Sequence, residues 1–431
     1  MMIRIRKRSR AEWSLLYIFM APFFFFLLMD IFGLPSFIKY TVDVAWLGLL
    51  VGVLNTKGFV LNKQIKAIIY VISAFVLLTL VGFLGGFQSV FYYLWGFRNN
   101  IRFFVFFVAC IVYLDRKNAD ALLSIMDKIF YINLFVTLFQ FFALGIKQDY
   151  LGGVFGVSKG CNAYTNIFLV LVVSCHLLRY MNGLEAFKEC VLKCLFSLLI
   201  AALAELKMFF LEFVLIVVLA SVFTRFSSRK LWITLAAIVS LTVMMHVLDI
   251  LFPHFKNWFA IGKIWDSLTS SSGYTNTNDM NRLTSIYISW NRYLDTGFKK
   301  MFGLGLGNCD YATGYEFLTT PFYNKHSQLH YMWFSSSFLI LETGLVGLSV
   351  YVYFFIQVFF CAREREKQKT GMAFYCQLAK IIAILCPILV IYDSSLRTEA
   401  AYMIYFTLAL PFIRLEKSDN RFYKTGEKLL L

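Results

Sequence analysis

Charge is scarce in this sequence. Aspartate, glutamate, lysine and arginine make up 15% of its 431 residues, where a soluble domain carries about 25%. With 59% hydrophobic and 19% aromatic residues, the chain has more apolar surface than a water-facing fold can bury, so lipid must be its solvent. The apolar runs do not alternate with polar residues, which excludes a transmembrane barrel. Helices satisfy their own backbone N–H and C=O groups, and they remain the way across the bilayer. Signatures of metal and nucleotide chemistry are also missing. There is no CxxC, no HExxH and no glycine loop ending in GK[ST]. There is no internal repeat, and no low-complexity tract beyond Phe23–Phe26.

A net charge of +16 invites a nucleic-acid reading. The placement of the charges rejects it, because most Lys and Arg form short clusters between apolar runs, as positive-inside loops do. Seven of the nine cysteines (Cys110, Cys175, Cys190, Cys194, Cys361, Cys376 and Cys386) lie in or beside apolar runs and read as small buried residues. Cys161 and Cys309 fall in expected outer loops, where a disulfide between them is open.

A spanning helix takes about 20 apolar residues. On that measure twelve spans are expected, near 13–33, 40–55, 65–86, 100–114, 121–145, 162–179, 190–204, 206–224, 231–251, 329–359, 373–391 and 399–413. The chain then divides into nine spans over 1–251, a large extracytoplasmic loop over 252–328, three spans over 329–413 and a tail over 414–431. The basic run Arg4–Arg10 precedes an apolar run longer than a signal-peptide h-region, with no A-x-A site after it, and is expected to lead a retained first helix. With both termini cytoplasmic, the inner segments hold 26 of the 41 Lys and Arg. The long loop holds seven and is too long to vote.

That loop collects the polar chemistry. Leu283, Ile286, Tyr287, Trp290, Leu294 and Phe298 recur at three- and four-residue steps, the pattern of an amphipathic helix on a membrane surface. The Ser/Asn-rich stretch before it is turn-rich and expected to be mobile. Arg282 at the start of the helix reads either as a solvated first turn or as the grip for an anionic ligand. Glu205 and Lys207 interrupt an apolar stretch and read as a wet hairpin tip, or as charges aimed at a phosphate from the membrane edge. His326 and His330 are four apart; they are interfacial aromatics or a general base. The Gly303-x-Gly305-x-Gly307 run follows no strand, so tight turns or close backbone approach explain it better than a nucleotide loop. Asp30 and Asp43 are not paired as D-x-D, so no metal is expected. Glu342, Lys380, Asp393, Arg397 and Glu399 are expected to pair with one another, and Glu212, Asp249, His176 and His246 to pack.

Arg282…Trp290, Gly303–Asn308, the histidine segment and Leu341-Glu342-Thr343-Gly344-Leu345-Val346-Gly347-Leu348 together resemble the signature of the O-antigen polymerase and ligase superfamily. Gly153-Val154-Phe155-Gly156…Asn162-Ala163-Tyr164 resembles the small outer loop of that family. The family's H-N pair is His326-Ser327 here, with His330 a second candidate, and Lys207 stands where the family often has arginine. The resemblance implies an all-α, GT-C-type, metal-independent glycosyltransferase without cofactor in a bacterial inner membrane. Its donor and acceptor would be oligosaccharides linked to undecaprenyl diphosphate, with a chain-length regulator and a flippase as further partners. Lys207 and Arg282 would hold the diphosphate, with Glu205, Trp290 and Glu342 as further substrate contacts. His326 or His330 would orient or deprotonate the acceptor. A polymerase of O-antigen or capsule is the preferred reading. A ligase onto lipid A core, a flippase of the same lipid-linked sugars and a metal-dependent oligosaccharyltransferase are the alternatives.

Overall fold

The computed structural model describes residues 9–56, 62–86, 88–225, 227–251, 269–270, 275, 279–312, 314–368 and 371–414. Most of the expected mobile Ser/Asn stretch, the N-terminal basic run before Ser9 and the tail after Arg414 lie outside the described residues. Helices account for every expected span: α1 (Arg10–Asp30), α2 (Thr41–Leu54), α3 (Lys63–Gly85), α4 (Val90–Tyr113), α5 (Arg116–Phe142), α6 (Asn162–Met181), α7 (Phe187–Leu203), α8 (Lys207–Phe223) and α9 (Ser228–Leu251). In the long loop follow the short α10 (Thr284–Ile288), α11 (Gly297–Phe302) and α12 (Pro321–His326). The chain closes with α13 (Ser335–Lys367), α14 (Ala373–Tyr392) and α15 (Ala401–Ala409). Among the described residues there is no strand, only an isolated bridge between Asp115 and Arg414. Nine helices there are long and apolar enough to cross a membrane. The other three expected spans, α7, α8 and α15, are shorter.

α6 is the most enclosed of the spanning helices and buries polar as well as apolar side chains, Thr165, Asn166, Ser174 and His176 among them. α7, α8, α14 and α15 pack against it, and α2, α3 and α9 keep most of their apolar surface outward. Two expected boundaries move. The fourth span begins at Val90, ten residues early, because Arg98 and Asn99 are turned toward the cavity within the bundle rather than left in a loop. The tenth begins at Ser335, not Leu329.

The glycine run is the joint between loop and bundle. α13 kinks at Gly344 (φ 68°). The break frees two carbonyls, and loop N–H groups take them: Leu304 donates to Leu341 (2.7 Å) and Gly305 to Glu342 (3.1 Å). The backbones touch, since a Cβ on Gly303 would sit 2.4 Å from the Glu342 carbonyl and one on Gly344 2.4 Å from that of Met301. On the other side a Cβ on Gly307 would lie 1.9 Å from the Tyr92 oxygen of α4. Gly303 and Gly307 also have positive φ, at 78° and 82°, a region costly for side chains.

Gly303→Ala and Gly307→Ala should each cost about 3 kcal/mol, strain plus overlap. Gly314→Ala, with φ 83° and nothing within 4 Å, should cost about 1 kcal/mol. Thermal melts in detergent check this. Equal losses at all three positions would contradict the clamp.

Candidate functional site

Most of the sequence-chosen residues do not converge. Glu205 sits in the α7–α8 turn with φ 51°, accepting a hydrogen bond from Gln148 at 3.1 Å, and Lys207 opens α8 beside it. Arg282 is buried, donates from Nε to the Tyr392 carbonyl (3.1 Å) and lies 4.3 Å over the Tyr392 ring. Trp290 lies under Lys300, 5.4 Å from its ammonium. Glu342 is 1% exposed and accepts from the Cys309 N–H at 3.1 Å, so its carboxylate caps the glycine loop instead of facing a substrate. His326 ends α12 between the rings of Tyr293 and Phe322. Burial, then Lys325, push its imidazole below the usual histidine range.

The expected surface helix is also shorter than its pattern. It ends in a π-turn over Ser289–Tyr293, and Phe298 belongs to α11. It buries the small Ser285 and Ser289 and turns Tyr287 outward, 72% exposed. His326 and His330 do not share a helix face, because a 3-10 turn separates α12 from His330, which is left-handed with φ 53°.

His330 is the sequence-chosen residue that reaches a cavity. The cavity, about 520 Å³, opens at the long-loop end of the bundle. Its walls come from α4, from the Asp310–Trp333 part of the loop and from the α14–α15 connection. Three arginines converge there. Arg98 and Arg102 lie four apart on α4 and so share a face. Arg98 forks onto Asp43 (2.9 and 2.6 Å). Arg102 pairs with Glu399 (3.2 Å), whose other oxygen accepts from the Tyr164 hydroxyl (2.9 Å). Burial alone would raise the Glu399 carboxyl; Arg102 and then Arg98 outweigh it and hold it at about 2.

Arg397 differs from the other two in lacking a carboxylate partner, although an unpartnered Nε is something it shares with Arg102. It donates to the Met332 carbonyl (2.8 Å), lies 3.6 Å over the Phe338 ring and leaves Nε without a partner. Among the described residues no carboxylate forms an ion pair with it. Arg397 is half-buried, with Nε itself shut off from solvent; an occluded donor without a partner is costly, and an anionic ligand would complete it. Asp310 faces it through space, bonded to Asn99 (2.6 Å) and to the Tyr311 N–H (2.9 Å). Burial raises the Asp310 carboxyl, although Arg397 opposes the shift.

Aromatic rings supply the remaining surface. Tyr311 and Tyr323 stack at 4.5 Å, and Trp95 lies under Arg98. His330 stacks on Trp333 at 3.9 Å, and its Nδ1 meets the buried Asp279 carboxylate at 2.9 Å. That bond fixes the tautomer and leaves Nε2 to face a reactant.

Other charges settle away from the cavity. The expected mutual pairing of the late charges fails: Lys380 pairs with Glu366 (2.6 Å), and Asp393 caps Ser395 (2.9 Å). Asp30 accepts from the Val157 and Ser158 N–H groups (2.9 Å each), and Asp43 is taken by Arg98, so neither is free for a metal. Glu212 packs as expected, buried and bonded to Asn166 (2.9 Å). Cys161 and Cys309 are both buried and free, so the disulfide left open is not formed. The arginines of α4 were missed for want of one test: Arg102 sits inside an apolar run, where an ionisable residue is a functional candidate by default.

The fold therefore defines a multi-pass, helical membrane protein with a cationic, aromatic-lined cavity at one end. No protein-family model matches the chain, and no curated protein sequence matches it.

Because Glu399 is held at about 2, its contribution to stability is complete above the ordinary carboxyl value. It is lost as pH falls from about 4.5 toward 2. Melting temperatures across that range should fall steeply for the wild type. Glu399→Gln should start lower at neutral pH, with Arg102 unpaired, and fall less. Parallel curves would refute the Arg102–Glu399 linkage.

Proposed function

We propose that this chain is a polysaccharide polymerase of a bacterial inner membrane. In this reading it moves a growing glycan from undecaprenyl diphosphate onto the next lipid-linked repeat unit, with both termini cytoplasmic and the long loop outside. The observation that carries the reading is Arg397, a half-buried guanidinium that pairs with no carboxylate among the described residues, set beside Arg98 and Arg102 in an aromatic cavity. Arginine forks suit a diphosphate. Stacked tyrosines and tryptophan suit the apolar faces of sugar rings. A ligase that uses lipid A core as acceptor would need the same donor groups.

The chemistry runs as follows. An acceptor hydroxyl oxygen attacks the anomeric carbon of the donor. The bond from that carbon to the diphosphate oxygen breaks, and its electron pair leaves with the diphosphate. Arg98, Arg102 and Arg397 stabilise that developing charge, a preorganised electrostatic role that is often the largest catalytic effect. His330 Nε2 takes the hydroxyl proton, and Asp279 stabilises the imidazolium formed. These residues replace Lys207, Arg282 and His326 in the roles that the resemblance implies.

In lipid, with a lipid-diphosphate repeat unit and EDTA present, the wild type should build a glycan ladder. Arg397→Ala and Arg102→Ala should lose about 100-fold or more in rate. His330→Ala should lose about 100-fold, while His326→Ala and Lys207→Ala should stay within about threefold of wild type. No ladder from the cognate unit would sink the polymerase, and lipid A core and lipid flipping would then be assayed. A ladder lost with His326→Ala but kept with His330→Ala would move the base.

A further inference from the structure

We infer that a second site, at the end of the bundle opposite the long loop, holds a membrane-lipid headgroup that carries a phosphate and a primary ammonium. His176, expected only to pack, is its hub. Its Nε2 meets Asp127 at 2.5 Å and its Nδ1 meets Glu185 at 2.6 Å. Both partners are carboxylates, so both ring nitrogens carry hydrogens. Arg179 (2.9 Å) and Lys193 (3.2 Å) also converge on Asp127. This cluster joins α5, α6, the α6–α7 turn and α7.

A cavity of about 430 Å³ opens beside it. Four carboxylates (Asp120, Asp127, Glu185, Glu189) and four basic groups (Lys128, His176, Arg179, Lys193) face it, with Tyr131 and Phe374 at its walls. A balanced wall suits neither a bare anion nor a bare cation; it suits a ligand with both charges. One group points to the ammonium. The Glu185 side chain is only 6% exposed, and its Oε2 has no partner. A buried carboxylate oxygen with no donor is costly, and a primary ammonium supplies up to three donors. A quaternary ammonium supplies none. On the opposite wall Arg179 spends one nitrogen on Asp127 and remains 22% exposed, and Lys128 is exposed. These two take the phosphate.

Depth selects the source. Arg179 lies in the last turn of α6 and Glu189 in the first turn of α7, which is headgroup level for a spanning bundle. Leu184 at the mouth is 68% exposed, and Tyr131 is 49% exposed, an apolar border along which acyl chains can lie.

The test uses the full chain in nanodiscs of phosphatidylcholine, with phosphatidylethanolamine or phosphatidylglycerol titrated in, read by melting temperature and by native mass spectrometry. Phosphatidylethanolamine should raise the melting temperature and remain bound; the other two should not. Glu185→Gln should weaken its apparent affinity at least tenfold. Because Glu185 also holds His176, Lys128→Ala and Glu189→Gln at the exposed rim are the second measure. Each should weaken binding threefold or more without lowering the melting temperature in phosphatidylcholine alone. Equal binding of all three lipids, or unchanged affinity in all three variants, overturns the proposal. Soluble glycerophosphoethanolamine in the same assay separates the sources. Competition at micromolar concentration would overturn the lipid and assign the same chemistry to a water-borne ligand; none at millimolar concentration supports the lipid.

Discussion

Everything at the long-loop end depends on one backbone contact, the seat of Gly303–Gly307 between the kink of α13 and the face of α4. A helix that breaks inside a membrane exposes carbonyls that lipid cannot satisfy. Here the Leu304 and Gly305 N–H groups take those carbonyls, so the loop cannot lift away without stranding them. The same contact sets the cavity. Asn308 and Cys309 follow directly, Cys309 donates to the Glu342 carboxylate, and Asp310 is thereby brought to Asn99 on α4. The loop is long in sequence, but its working part is fastened within three residues of the bundle.

Against that joint, the legible and illegible parts of the sequence separate cleanly. Span positions were readable because continuous apolar runs report lipid exposure directly. The glycine run was readable as close backbone approach, since three glycines at alternate positions without a strand or a phosphate-loop lysine leave little else. Its partners were not readable, because Gly344 and Tyr92 lie far away in the chain and nothing local links them to Gly303 or Gly307.

Arg98 and Arg102 were hidden for a different physical reason. A hydropathy window treats charge as the end of a span, yet α4 carries charge through its first half because Asp43 and Glu399 neutralise it from α2 and the α14–α15 connection. Pairing between distant segments is tertiary information. Lys207 and Arg282, singled out from the sequence, do not line this cavity. Lys207 stands out in sequence as a cation among apolar neighbours and Arg282 as the start of an amphipathic pattern, but Arg282 bonds the Tyr392 carbonyl and lies over its ring. A cation that stands out in sequence is not thereby aimed at a ligand.

In the proposed function the three arginines would hold positive charge ready for an anion. Arg98 and Arg102 are each neutralised by a carboxylate, Arg98 with two hydrogen bonds to Asp43 and one more to Asn99, Arg102 with one to Glu399 and its Nε left without a partner. Arg397 is held instead by a ring face and one carbonyl. A ring face attracts a cation without cancelling its charge, and a carbonyl uses one donor of five. Arg397 and Lys39 are the cavity's cations without a paired carboxylate among the described residues, with Asp310 opposing Arg397 through space. An arriving anion meets one unpaired guanidinium directly and can share the forks of the others. The arrangement favours a ligand with several oxygens spread over a few ångströms, and disfavours a single small anion that one arginine alone would satisfy.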